Sequence, residues 1–183
     1  MKGRNMTRWR DPAKDPRQEK KTDLITPEGY ASMQSLLDHL VRVRRPELSR
    51  KTGEAAAQGD RSENADYTYN KKALNGTIAR IAYLQKRLDA LTVVDRLPQE
   101  RDKVFFSAWV TLEDEAGEEL RIRIVGPDET DNKKRWISVD APLARALLGK
   151  PLDADITVDA PGGATHYIIT AIDYTTAGDQ AER

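Results

Sequence analysis

The sequence contains no cysteine, which excludes disulfides and any thiolate metal site and fits a reducing compartment. No apolar run approaches the ~18 residues that a membrane-spanning helix requires. Basic residues near the N-terminus are not followed by an apolar core, so they do not form a secretory signal. Aromatic residues make up only 6%, and the hydrophobic fraction of 38% stands against 33% charged residues. That ratio is low for one compact globule and suits an elongated chain with much solvated surface. The 183 residues leave room for one domain of ordinary size or two small ones. A cytoplasmic monomer that does not enter a membrane is the expectation.

The net charge is zero but unevenly spread. Residues 1–22 hold eight Lys or Arg against three acids, a net +5, with Pro12 and Pro16 interrupting any helix. This segment reads as a disordered basic tail, able to touch nucleic acid phosphates or merely solvated. Residues 23–95 read as a helical hairpin. Thr26-Pro27-Glu28 is a helix start: an N-cap, a proline suited to the first turn and an acid at the positive end of the dipole. Tyr30, Met33, Leu37, Leu40 and Val41 then form one apolar stripe. Pro46 is expected to kink this helix. A second helix, starting between Asp60 and Glu63, carries Leu74, Ile78, Ile81, Leu84, Leu88 and Leu91 in a heptad-like seam. At roughly 28 residues per helix and 1.5 Å per residue, the hairpin is about 40 Å long.

At the reversal stands Gly59-Asp60-Arg61-Ser62-Glu63-Asn64-Ala65-Asp66-Tyr67, with three carboxylates at Asp60, Glu63 and Asp66. Asp60-x-x-Glu63 is also the spacing of a capping box, and Ser62 is an alternative cap. Residues 96–103 read as a linker and 104–175 as a small α+β domain. Its strands are expected at Val104–Leu112, Leu120–Val125, Trp136–Val139, Ile156–Val158 and His166–Tyr174, with a helix at Pro142–Leu148. Asp114-Glu115-Ala116-Gly117 is a hairpin turn signal. Pro161-Gly162-Gly163 marks another turn, Trp109 and Trp136 are expected in the core, and residues 176–183 form a second tail. His39 and His166 have no metal-ligand spacing and receive no role.

With both halves read, the chain resembles the bacterial Gre transcript-cleavage factors, within them the GreB branch. The resemblance rests on Gly59 to Tyr67 and on Tyr69-Asn70-Lys71-Lys72 after it. It continues in Lys103-Val104-Phe105-Phe106, Ala108-Trp109-Val110, Arg123-Ile124-Val125-Gly126 and Pro142-Leu143-Ala144-Arg145-Ala146-Leu147-Leu148. The GreA branch is similar through Ser-Glu-Asn-Ala but typically lacks the Arg at position 61 and the Asn-Lys-Lys run. The resemblance implies an α+β protein: a long antiparallel coiled-coil hairpin followed by a small FKBP-like domain. It implies a partner, bacterial RNA polymerase, entered through its secondary channel, and contact with the nascent RNA 3′ end of backtracked complexes. Asp60 and Glu63 fall on the family's essential tip acids, which act in trans in the polymerase active site. They would help hold a second Mg²⁺ shared with the polymerase, with no cofactor bound to the factor alone. Arg61, Tyr67, Lys71, Lys72 and Arg80 fall on RNA-contacting positions, and Asp140 and Pro142 on the polymerase-docking segment. Ala141 stands where Ser is expected, and Ala73, Asn75 and Ala82 stand where further basic residues are expected. Two other readings remain open: a channel-binding inhibitor of the polymerase, and a prolyl isomerase.

Overall fold

A computed structural model describes residues 21–58, 64–160 and 163–174. Of the tail expected over residues 1–22, residues 1–20 lie outside the described residues, as do Pro161-Gly162 and the C-terminal tail; Lys21 and Thr22 are corrected from tail to bonded chain. The chain opens with a two-residue strand, β1 (Leu24–Ile25), followed by α1 (Pro27–His39). Thr26 caps α1 as expected, its hydroxyl accepting from the Gly29 N–H at 3.1 Å, with Pro27 in the first turn.

Helical structure continues through Pro46, and residues Leu40–Arg44, just before it, form a π-helical segment that leads directly into α2 (Arg45–Ala57). The wider turn, with the Arg45 N–H donating to the Leu40 carbonyl, takes up the irregularity immediately before the proline. Pro46 then occupies the first turn of α2, where its missing N–H costs least.

The long helix α3 (Ala65–Ala90) returns along the same rod and ends at β2 (Thr92–Val93). β2 pairs in parallel with β1. The Met33 and Leu37 side chains of α1 cluster with Leu84 and Leu88 near the end of α3. Asn64 contacts Ala55 at the opposite end, so α3 runs counter to α1 and α2. Leu84 is fully buried and Ile81 and Leu88 nearly so. One seam position differs from the expectation: Ile78 is 48% exposed, and Thr77 is half-buried in its place. The interval from Leu74 to Ile81 can be divided as four and three or as three and four. Hydropathy favours the first; packing against α2 selects the second.

The second half is a five-stranded sheet in the order β5-β4-β3-β7-β6. Its strands are β3 (Trp109–Asp114), β4 (Glu119–Val125), β5 (Trp136–Ser138), β6 (Asp155–Ala160) and β7 (Gly163–Asp173), with α4 (Pro142–Leu147) between β5 and β6. Only β4 and β5 are parallel. The Asp114 turn forms as expected: Asp114 Oδ1 accepts from the N–H groups of Ala116 and Glu118, and Gly117 takes φ 78°. Alternation along β3 sends Val110 and Leu112 inward, to meet Ile122, Ile124, Ile169 and Leu147. The expected strand at Val104–Leu112 begins only at Trp109. Val104 is instead bound to the Gly149–Lys150 turn, and Ser107 takes φ 71°, which turns the chain before the sheet starts. Before the expected linker at residues 96–103, the chain leaving β2 is still bound to β1, with the Val94 N–H donating to the Ile25 carbonyl at 2.9 Å.

Candidate functional site

The tip is built from the ends of α2 and α3. Asn64, in extended backbone (φ −86°, ψ 102°), is the N-cap of α3. Its Oδ1 accepts from the Tyr67 N–H at 3.0 Å, and its Nδ2 donates to the Ala55 carbonyl at 2.9 Å. One side chain therefore satisfies an orphan donor of α3 and adds a second bond to a carbonyl in the last turn of α2, which also accepts from the Gln58 N–H. The helix start expected between Asp60 and Glu63 is thereby corrected to Asn64 as cap and Ala65 as first residue. Asp60, Arg61 and Glu63 lie outside the described residues, between Gln58 and Asn64. The capping role that could have explained Asp60 and Glu63 is filled by another residue. Asn64→Ala is expected to cost about 1 kcal/mol through the lost cap, read as a lower midpoint in urea denaturation.

Behind the tip, the candidate RNA contacts do not share one face. Nine residues at 3.6 per turn put Arg80 half a turn from Lys71, with Lys72 between them. The Lys71 ammonium lies 5.3 Å from the Tyr67 ring centroid, and the Arg80 guanidinium lies 5.1 Å from that of Tyr83. Tyr67 is half-buried, whereas Tyr69 is 72% exposed and takes no part in the seam. Lys72 and Arg80 are exposed. Among the described residues no three His, Asp or Glu side chains converge as a metal set, and no helix is long and apolar enough to cross a membrane.

At the other end of the molecule, Asp140 is not a free carboxylate. Its Oδ2 accepts from the Thr22 N–H at 2.9 Å and its Oδ1 from the Thr22 hydroxyl. Pro142 is exposed in the first turn of α4. Ala141 is the N-cap of that helix and supplies no side-chain bond, so the expected Ser is missed structurally as well.

Reading the sequence alone missed the junction between the rod and the sheet. Arg87, in the last turn of α3, binds Asp128, Asp23 and the Thr22 carbonyl. Tyr83 donates to Asp128 at 2.7 Å. Glu129 accepts from the N–H groups of Thr26 at 2.9 Å and Gly126 at 2.7 Å. Burial pushes the Asp128 carboxyl upward, but bonds from Arg87 and Tyr83 and the charges of Arg87 and Lys21 outweigh it and hold its pKa below the usual aspartate value. Arg123 bonds Glu28 of α1 at 2.8 Å. Its guanidinium lies 5.8 Å from the Trp109 ring centroid and 5.0 Å from that of Trp136. Trp109 and Trp136, expected in the core, are half-buried and carry Arg121, Arg123 and Lys134 on their rings. A cation seated on an indole competes with packing both its faces in a core. None of these partners is adjacent in sequence, so no motif or period announces them.

Comparison with known proteins covers both halves. Residues 23–93 match the model of the N-terminal domain of the transcription elongation factor GreA/GreB family, and residues 98–174 match that of its C-terminal domain. The chain is 54% identical over 172 residues to the transcription elongation factor GreB of Xanthomonas axonopodis pv. citri, an alignment covering 93% of this chain and 99% of the relative. It is 51% identical over 156 residues to GreB of Pseudomonas aeruginosa, covering 85% of this chain and 93% of that one. Among solved structures, the GreA factor homolog 1 of Thermus thermophilus aligns at 25% identity over 82% of this chain and 97% of its own, with a TM-score of 0.38. On the two domain matches and the near end-to-end relatives, the chain belongs to the GreA/GreB family of transcription elongation factors.

Proposed function

We propose that this elongation factor enters the secondary channel of bacterial RNA polymerase with α2 and α3 as a coiled-coil hairpin. The sheet domain, FKBP-like in fold, docks on the channel rim through the segment that carries Pro142. Asp60 and Glu63 are delivered to the polymerase active site, where the factor stimulates the polymerase's own cleavage of backtracked RNA. The factor is a monomer in the cytoplasm and is not itself a nuclease. The single observation that carries this reading is the Asn64 cap: it starts α3 and ties that start to the last turn of α2, so the two helix ends are held together on either side of the segment with the tip acids.

Carboxylates are hard oxygen donors suited to Mg²⁺, and two of them are short of an octahedral set, so the fit is to a site shared with the polymerase and RNA. A divalent ion held there supplies activation of water and charge stabilisation at the leaving oxygen. The chain's own part is positional. The rod carries the acids about 39 Å, taking the 26 residues of α3 at 1.5 Å rise. Lys71, Lys72, Arg80 and Arg61 supply cations, and Tyr67 an aromatic face, for extruded RNA. Because the described cations spread around α3 rather than along one stripe, their grip is distributed and falls as salt rises. The test is a purified, stalled elongation complex with end-labelled RNA. Adding the factor is expected to shorten the RNA from its 3′ end and restart elongation; unchanged RNA length would refute the reading.

A further inference from the structure

Of the three residues that open the described chain, Lys21 and Thr22 bond to the sheet domain, and Thr22 and Asp23 bond to the exit of the rod. Lys21 Nζ lies 3.5 Å from Asp128 Oδ1. Thr22 gives both its N–H and its hydroxyl to Asp140, while its carbonyl accepts from Arg87. Asp23 takes another nitrogen of Arg87, and its carbonyl accepts from the Thr92 N–H at 2.7 Å. Residues 21–23 are thus stitched to the exit of α3 on one side and to two loops of the sheet domain on the other. Asp140 lies 118 residues from Thr22 in sequence, and both its oxygens are used in this stitch.

We infer that Asp140 is a positioning residue: with Thr22 it closes a clasp that sets the angle between the hairpin and the sheet domain. The angle matters because the rod is long. A swing of roughly 10° about the junction displaces the tip by about 7 Å, given a rod built at 1.5 Å per residue. That is more than the tolerance of a catalytic group, for which about 1 Å already matters. The polymerase-facing contact of this segment then falls to the exposed Pro142 rather than to the half-buried Asp140 carboxylate, both of whose oxygens are already engaged by Thr22. The cleavage consequences rest on the proposed function; the clasp itself does not.

The absence of cysteine makes the test direct, since two introduced cysteines are the only labelling sites. Spin labels at Asn75→Cys on α3 and Glu119→Cys on the sheet, both exposed positions, report the distance between the two parts. Thr22→Val and Asp140→Ala are each expected to broaden that distance distribution. Each should lower the cleavage rate at saturating factor at least fivefold, with polymerase affinity changed less than twofold. Thr22→Val should add nothing once Asp140 is gone, because the two act as one unit. Thr22→Ser, which keeps the hydroxyl, should restore the parent on both counts. The inference is overturned if Asp140→Ala weakens polymerase binding tenfold with the distance unchanged while Thr22→Val is silent, the behaviour of a direct docking contact. A parent protein that stimulates no cleavage would sink the proposed function, and the distance measurement would still decide the clasp.

Discussion

Asp60→Asn/Glu63→Gln protein is expected to bind RNA polymerase as the parent does and to lose stimulated RNA cleavage by about 100-fold or more, equivalent to ~2.7 kcal/mol of barrier. Both substitutions keep side-chain shape and remove charge. An amide is a poor ligand for a hard divalent ion, so the loss should fall on the saturated rate and not on affinity. Helical content and unfolding midpoint are expected to stay at the parent's values, because the N-cap of α3 is Asn64 and its first-turn acid is Asp66. This separates the two explanations that the spacing Asp60-x-x-Glu63 allows. Were the pair a capping box, the double variant would lose about 1 kcal/mol of stability and leave cleavage intact. Single-turnover cleavage and circular dichroism on the same preparations measure both arms. Cleavage equal to the parent's would remove the tip acids from the mechanism.

Arg87→Met is expected to destabilise the protein by about 3 kcal/mol, because it strips the cation from a carboxylate that cannot easily be rehydrated. The Asp128 side chain is 7% exposed and that of Arg87 12%. Met keeps the aliphatic stem and so isolates the charge from the packing. For a chain of this size, that loss lowers the unfolding midpoint by about 6–12 °C. The same variant tests the electrostatic account through pH. In the parent the Asp128 pKa is depressed, so its contribution is complete above the unfolded value of 3.8 and is lost as pH falls through the lower folded value. The penalty of Arg87→Met should therefore be largest near neutral pH and shrink on acidification towards pH ~3, where a protonated Asp128 needs no cation. Urea titrations of parent and variant at the two pH values give the comparison. A penalty that does not change with pH would assign Arg87 to packing of its stem alone.

Local chemistry was legible wherever cause and effect lie within a few residues. Thr26-Pro27 starts α1, Asp114 to Gly117 turns β3 into β4, and Gly149 at φ 78° follows α4. Within the apolar repeat of α3, Ile81, Leu84 and Leu88 bury as its spacing requires. The helix boundary at the tip was less legible, since Asp60, Ser62 and Asn64 are all competent caps in isolation. The cap of α3 is Asn64, whose side chain serves both helices, through Tyr67 and Ala55. The seam erred at Ile78 for a related reason: hydropathy marks the better core residue, and the register against α2 marks the buried one.

What the sequence determined by itself is a helical rod, a small sheet domain and an acidic reversal between two long helices. Each follows from periodicity, caps and turns that act over at most a few turns of chain. What only the tertiary structure decided is how the rod is aimed. Arg87 with Asp128, Thr26 with Glu129, Arg123 with Glu28 and Thr22 with Asp140 join residues 41 to 118 positions apart. Charges and hydroxyls on a surface face look alike in sequence whether they are solvated or paired. Only when folding brings two of them together and removes the water between them does a pair acquire an energy, and the rod a direction.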